Sequence, residues 1–183
     1  SSSGRWPPNP EARSNLQPAI RYAWAGMVAI QREIGGRGGE GNALNNLGNA
    51  HNCLGRHQEA IEHHMRSLAI DREIGDGLGE GNSLNGLGGA YHSLDRHDEA
   101  VDHYNQALAI EREVGNRQGE GGDLNNLGLA HADLGQHAKS KRLYEQVIAG
   151  RSATLGAESS EALMAQNNLA NLLDDMGQVN EAR

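Results

Sequence analysis

The sequence contains no phenylalanine, and aromatic residues make up only 3% of its 183 positions. A core built from it must close through Leu, Ile and Ala, which suits thin helical layers. Cysteine occurs once, at Cys53, which excludes an internal disulfide and a thiolate zinc site. Lysine is confined to Lys139 and Lys141, against 14 arginines. Positive charge as a whole is short: the formal net charge is −8, the wrong sign for a surface that must meet nucleic-acid phosphates. No apolar run approaches the ~18 residues of a membrane span. No secretory hydrophobic segment is visible either, so a cytoplasmic location is expected. The opening Ser1-Ser2-Ser3-Gly4 fits an exposed end left by import processing as well as it fits a tag remnant.

What the sequence does contain is repetition. Residues Glu40–Gly79, Glu80–Gly119 and Glu120–Ser159 are three consecutive 40-residue units opening Glu-Gly-Asn, Glu-Gly-Asn and Glu-Gly-Gly, and the first two agree at 21 of 40 positions. A period of this length signifies stacked supersecondary units, none of which buries its apolar face without a neighbour. Many of the 25 glycines recur at fixed places in the unit and read as turn markers and close-packing sites.

Two helical patterns alternate within each unit. In the second unit Leu84, Leu87 and Tyr91 share one helical face, and Ala100, Val101, Tyr104, Leu108 and Ile110 form a broader stripe. Asp95-Arg96-His97 is the short turn between them, matched by Leu54-Gly55 and Leu134-Gly135, where Gly suits a left-handed helix cap. Gly75–Gly79 and Gly115–Gly119 separate the units. Residues 1–17, with Pro7, Pro8 and Pro10, are expected to form an extended or disordered lead-in. Residues 18–39 match the second helix of a preceding partial unit, because Ile30-Gln31-Arg32-Glu33-Ile34-Gly35 parallels Ile70-Asp71-Arg72-Glu73-Ile74-Gly75. Residues 160–183 begin a further unit. Its Gln166-Asn167-Asn168-Leu169-Ala170 lies 42 residues beyond Leu124-Asn125-Asn126-Leu127-Gly128, so the third connection is two residues longer. The array thus begins inside one unit and ends inside another, with about seven helices and the start of an eighth.

The spacing Leu87-Gly88, Tyr91, Leu94, Glu99-Ala100, Tyr104 and Ala107 resembles the tetratricopeptide repeat (TPR), over about residues 18–183. The Arg-Glu-Ile-Gly and Gly-Glu-Gly-Asn segments look most like Pins/LGN-type adaptors and bacterial TPR regulators. The stretch from Thr154-Leu155-Gly156 through Leu173 is similar to kinesin light chain repeats. The resemblance implies an all-α fold: a right-handed TPR superhelix, or α-solenoid, of antiparallel helix pairs, whose first helices line a concave groove for extended peptides. WD40 units would show strand alternation and a Trp-Asp pair, which is absent. HEAT-type pairs fit by length alone.

The sharpest candidate site is an asparagine ladder on the first helices. Asn45, Asn85, Asn125 and Asn167 occupy one repeat position; Asn46, Asn126 and Asn168 follow one residue on, with Gly86 in the second unit. Asn49 and Asn171 lie one turn further, and Asn42 and Asn82 stand near the helix starts. A carboxamide both donates and accepts, so it can pair with the backbone of an extended peptide whatever that peptide's sequence. The alternative role is structural, with these side chains bonding neighbouring helices and holding the curvature. Asn is a mediocre helix former, so its recurrence mid-helix calls for one role or the other. TPR domains that clamp a terminal carboxylate set Lys or Arg beside such residues. The matching positions here hold Asn42, Asn82, Gly86 and Gly122, so no carboxylate clamp is expected.

Nine histidines invite a metal reading. His57, His97 and His137 share one repeat position, and His63 and His103 another, but equivalents on adjacent units stand about 10 Å apart, too far to share an ion. The resembled family usually holds Tyr or Phe at these sites, so they read as aromatic substitutes, and no carboxylate or Cys is expected to complete a ligand set. Gly35–Gly41 has no strand before it and is an inter-unit turn, not a phosphate loop. Glu40, Glu80 and Glu120 fall at helix starts, where the dipole favours negative charge. No catalytic constellation and no cofactor motif is apparent. The expected function is a non-catalytic protein–protein interaction module, holding an extended peptide in an Asn-lined groove with shallow pockets at Gly89 and Ala132. The alternatives are a stoichiometric subunit of a larger assembly, working through its convex face or ends, and the peptide-sensing domain of a bacterial regulator.

Overall fold

Every described element is a helix. The structure, a computed structural model, describes residues 10–154 and 160–181, with side chains over 26–150 and 162–177. Among them run α1 (Pro10–Cys53), α2 (His57–Ile74), α3 (Gly77–His92), α4 (His97–Val114), α5 (Arg117–Asp133), α6 (His137–Thr154) and α7 (Ser160–Glu181). Helix α1 is two arms joined at a kink, where Gly36 leaves helical geometry at φ 61°, ψ −150°. Its arms are the second helix of the leading partial unit and the first helix of unit 40–79. The lead-in expected over residues 1–17 is helical from Pro10 onward: proline is tolerated at a first helical position because its missing N–H has no intrahelical partner there. Residues 1–9 lie outside the described residues, as does the longer connection within 155–159.

The inter-unit turns explain why α1 is kinked and its counterparts are broken. Gly75 and Gly115 end α2 and α4 in the left-handed region at φ 73°, which costs glycine little. The next residue, Asp76 or Asn116, is then the N-cap, its side-chain oxygen accepting the N–H of Gly79 at 3.0 Å or Gly119 at 3.2 Å. At the leading turn that cap position is Gly36, which has no side chain and carries the positive φ itself. Each turn is also spanned by an ion pair. Arg72 Nε reaches Glu80 at 2.8 Å, Arg112 Nε reaches Glu120 at 2.7 Å, and Arg32 Nε approaches Glu40 at 3.7 Å. The glutamates expected as dipole partners at helix starts therefore also close the turn.

Six of the sixteen residues of α3 are glycine. At about 1 kcal/mol each against alanine, this helix is not stable alone and exists through its contacts. Those contacts need the missing side chains: a Cβ added at Gly88 would stand 2.5 Å from the Tyr104 ring, and one at Gly128 would stand 2.6 Å from Tyr144. Consecutive helices pack pairwise along the chain, and α1, α3, α5 and α7 also touch one another in order. No such contact joins the even-numbered helices among the described residues. A curved stack brings its inner layer together and spreads its outer layer, so the odd helices form the concave side. The core is divided in the same serial way. Ala60, Ile61, Leu68, Leu84, Leu87 and Ala107 form one cluster, while Tyr104, Leu124, Leu127, Tyr144 and Val147 belong to the next.

Candidate functional site

The inner layer carries the asparagines. Positions 42, 45, 49 and 52 on α1, and 82, 85, 89 and 92 on α3, follow a 3-4-3 spacing that keeps each set on one helical face. Within this layer the ladder divides into two kinds of rung. Asn42, Asn46, Asn49, Asn82, Asn167 and Asn171 are exposed, whereas Asn45, Asn85, Asn125, Asn126 and Asn168 are half-buried. Several of the half-buried ones tie helices together. Asn85 Nδ2 donates to Asp123 Oδ1 across α3 and α5, Asn168 Nδ2 donates to Asn125 Oδ1 at 3.0 Å across α5 and α7, and His64 Nδ1 bonds Asn45 Oδ1 at 2.8 Å.

His64 stands where the next units have Tyr104 and Tyr144. Its ring is fully buried, lying over Gly48 and Gly86, and a Cβ at either glycine would overlap it. This accounts for Gly86 at a position that holds Asn in the flanking units. Since Asn45 Oδ1 only accepts, Nδ1 carries the proton. Nε2 is buried with no hydrogen-bond partner among the described residues. Burial, reinforced by the neighbouring His63, pushes the imidazole down to about 4.

Two acidic side chains lie behind the stripe at the unit junctions. Asp71 is buried between Gly41 and Gly79, its Oδ2 accepting from Ser83 Oγ at 2.7 Å and Ser67 Oγ at 3.4 Å. Glu111 is its counterpart, enclosed by Gly81 and Gly119. Burial raises both carboxyls. Asp123, nearly two turns into α5, is also buried; burial pushes it up to about 7 against the Asn85 hydrogen bond, with Glu111 adding to the rise. The repeating Gly-Glu-Gly segment thus makes room for a buried acid on the preceding or partner helix. Sequence reading passed over Asp71 and Glu111 because each sits in a run of charged residues that looks solvated.

The stripe offers little positive charge. Helix α3 has no Lys or Arg, α5 has Arg117 at its start, and Arg37 of α1 is engaged by Glu40 at 2.9 Å and by Glu73. Ring pairs line the turn side of the units: His51 stacks on His63 at 5.0 Å and Tyr91 on His103 at 5.1 Å, as aromatic substitutes would. The structure also assembles a group that repeat-position reasoning missed. One ligand atom each from His92, His97 and Asp133 lie within 4.8 Å of one another. Comparing equivalents of one position separated these residues; the signal was His92/His97 flanking one turn, with Asp133 about one period further on. Among the described residues no helix is long and apolar enough to cross a membrane.

A serial stack of antiparallel helix pairs with a touching inner layer defines a helical-repeat solenoid, a class built to present a surface. The chain belongs to the tetratricopeptide repeat family, whose family model matches residues 39–113 and 124–183, and it is an all-α TPR solenoid and a protein–protein interaction module. It is similar to the TPR-like repeats of a putative kinesin light chain of Podosopora anserina, at 25% identity over 93% of this chain and 83% of that one, TM-score 0.71. BtubC (BKLC) of P. vanneervenii shares the fold at 19% identity over 88% of this chain and 67% of that one, TM-score 0.76. So does the first TPR of Spaghetti, solved with the HSP90 peptide SRMEEVD, at 20% identity over 75% and 93% respectively, TM-score 0.58. No curated protein sequence matches the chain.

Proposed function

We propose that this TPR array holds an extended segment of a partner protein along the inner face of α1, α3, α5 and α7, and that it performs no catalysis. The observation that carries this reading is the exposure of Asn42, Asn49, Asn82 and Asn171 on the one layer whose helices touch in series. Their carboxamides are available to pair with a peptide backbone, while Asn45, Asn85, Asn125 and Asn168 hold the helices at fixed separation. Gly89 and Ala132 are the small residues of this layer at which shallow pockets for the partner's side chains are expected.

Charge sets the class of segment. The peptide bound by the Spaghetti TPR is acidic, and a groove of that kind needs cations. This stripe presents amides, with buried acids behind it, on a protein of net charge −8, which favours a neutral or basic segment. The assembly-subunit reading draws on a cleft of about 840 Å³ between α1 and α2, lined by Val28, Leu44 and Leu47 together with Arg32, Glu62 and Arg66, which has the size to receive side chains of a neighbouring subunit.

A photo-crosslinking amino acid placed at Asn49 or Asn82 and, separately, at the outer positions Met65 or Asn105 tests the reading in source-cell lysate. The same partner captured from the inner positions and missed from the outer ones supports the groove. Capture from the outer positions alone assigns binding to the convex face.

A further inference from the structure

We propose that His92, His97 and Asp133 form a binding site for a divalent transition-metal ion of the zinc class, at the end of the inner stripe where the second unit meets the third. The three residues come from three elements: the last residue of α3, the first of α4 and the last of α5. His92 Nε2 lies 2.7 Å from Asp133 Oδ2, and the His92 and His97 rings meet edge to face at 5.1 Å. His97 Nδ1 is buried and has no hydrogen-bond partner among the described residues. Two imidazoles and a carboxylate are a donor set that zinc and its neighbours take, leaving a fourth position to water. A tetrahedral zinc holds its ligand atoms about 3.3 Å from one another, given bonds of about 2.0 Å. The His92–Asp133 pair stands inside that spacing and all three ligand atoms lie within 4.8 Å of one another, so side-chain rotations alone would bring all three to one ion.

The repeat itself supplies the contrast. At the preceding junction the three equivalent positions hold Asn52, His57 and Ser93, and there the histidine simply bonds the amide, His57 Nδ1 to Asn52 Oδ1 at 2.6 Å. The histidine is thus common to both junctions, and what changes is its surroundings. Where unit 40–79 satisfies the ring with Asn52, unit 80–119 faces it with a second imidazole, and the following helix contributes a carboxylate in place of Ser93. Bound metal would fasten α3, α4 and α5 together and fix the angle between two units beside the proposed peptide track.

The test uses the full chain without an affinity tag, stripped with chelator and titrated with Zn²⁺ by calorimetry and with Co²⁺ by visible absorption. His92→Asn and Asp133→Ser install residues that the preceding junction already uses, so both variants are expected to fold. His57→Ala, at the junction lacking the set, is the control. The expected result is one ion per chain, a melting temperature raised by Zn²⁺, and affinity lowered about 100-fold or more in both variants, since even outer partners of a metal site are worth about 10–100-fold. His57→Ala should bind as the parent does. Absence of a stoichiometric ion, or unchanged affinity in His92→Asn and Asp133→Ser, overturns the assignment.

Discussion

Units 40–79 and 80–119 are identical at 21 of 40 positions, yet they fill their interiors with different chemistry. The first buries His64 and the second Tyr104, each over a glycine of its own first helix. At the junction the first buries Asp71 and satisfies it with the hydroxyls of Ser67 and Ser83. The second buries Glu111, and at the two serine positions it has Ala107 and a further acid, Asp123. A solved hydrogen-bond cluster in one unit is a crowd of carboxyls in the next. The shared positions include those that set shape: the packing leucines, the glycines that end α2 and α4, and the Arg–Glu pair across the turn. Buried polar content is free to drift once each change is absorbed locally, as Gly86 absorbs His64.

The largest consequence concerns Asp123. Its carboxyl is raised to about 7, so the folded state holds this proton more tightly than the unfolded chain does. Its contribution to stability is full below about pH 4 and is lost as pH rises through 7; at about 1.4 kcal/mol per pH unit this span is worth roughly 4 kcal/mol. Asp123→Ser copies Ser83 of the first unit. Urea denaturation across pH 5–8 should show the variant gaining on the parent as pH rises, and parallel curves would show that Asp123 does not hold its proton more tightly in the folded state.

His64 works in the opposite sense. Because its folded value is lowered to about 4, the stability it permits is full above about pH 6.5 and is lost as pH falls through 4, a span worth roughly 3 kcal/mol. His64→Tyr, which makes the first unit resemble the second, should flatten that acid branch in melting curves taken between pH 7 and 4.

Glycine substitutions separate the enclosed positions from the open ones. Gly119→Ala gains up to about 1 kcal/mol of helix propensity but drives a Cβ into the Glu111 carboxyl, an overpacking cost of about 1–3 kcal/mol. Net destabilisation is expected in chemical denaturation. Gly122→Ala, with open space around its Cβ, should stabilise by up to about 1 kcal/mol. If both move together, the buried acid does not require its glycine. Smallest of all are Arg72→Ala and Arg112→Ala, which remove exposed turn-spanning pairs and should each cost less than about 1 kcal/mol, diminishing in salt.

Much of this architecture is legible in the residues themselves. The 40-residue period, the paired helices and the left-handed caps at Gly55 and Gly135 follow from spacing, and the structure has positive φ at both. The same turn in the second unit is made by Asp95 at φ 57°, a type of residue that tolerates this region. What stayed hidden depends on neighbours in space. Nothing in a run of asparagines says that Asn85 reaches Asp123 while Asn82 faces solvent. Asp71 and Glu111 read as surface charge because their glycine enclosures lie on other helices. The kink at Gly36 was concealed by its own turn, since loss of one capping side chain bends a helix pair without altering the period.

Recognition by the exposed rungs of the inner stripe can be weighed with a single binding experiment. The most direct measurement is the affinity of the crosslinked partner segment, as a synthetic peptide, for the parent protein and for Asn42→Ala/Asn49→Ala/Asn82→Ala. These side chains are exposed, so helical circular dichroism should be unchanged. Binding should weaken about tenfold or more, about 1.4 kcal/mol. Equal affinity in the two proteins would contradict it and move recognition off the stripe.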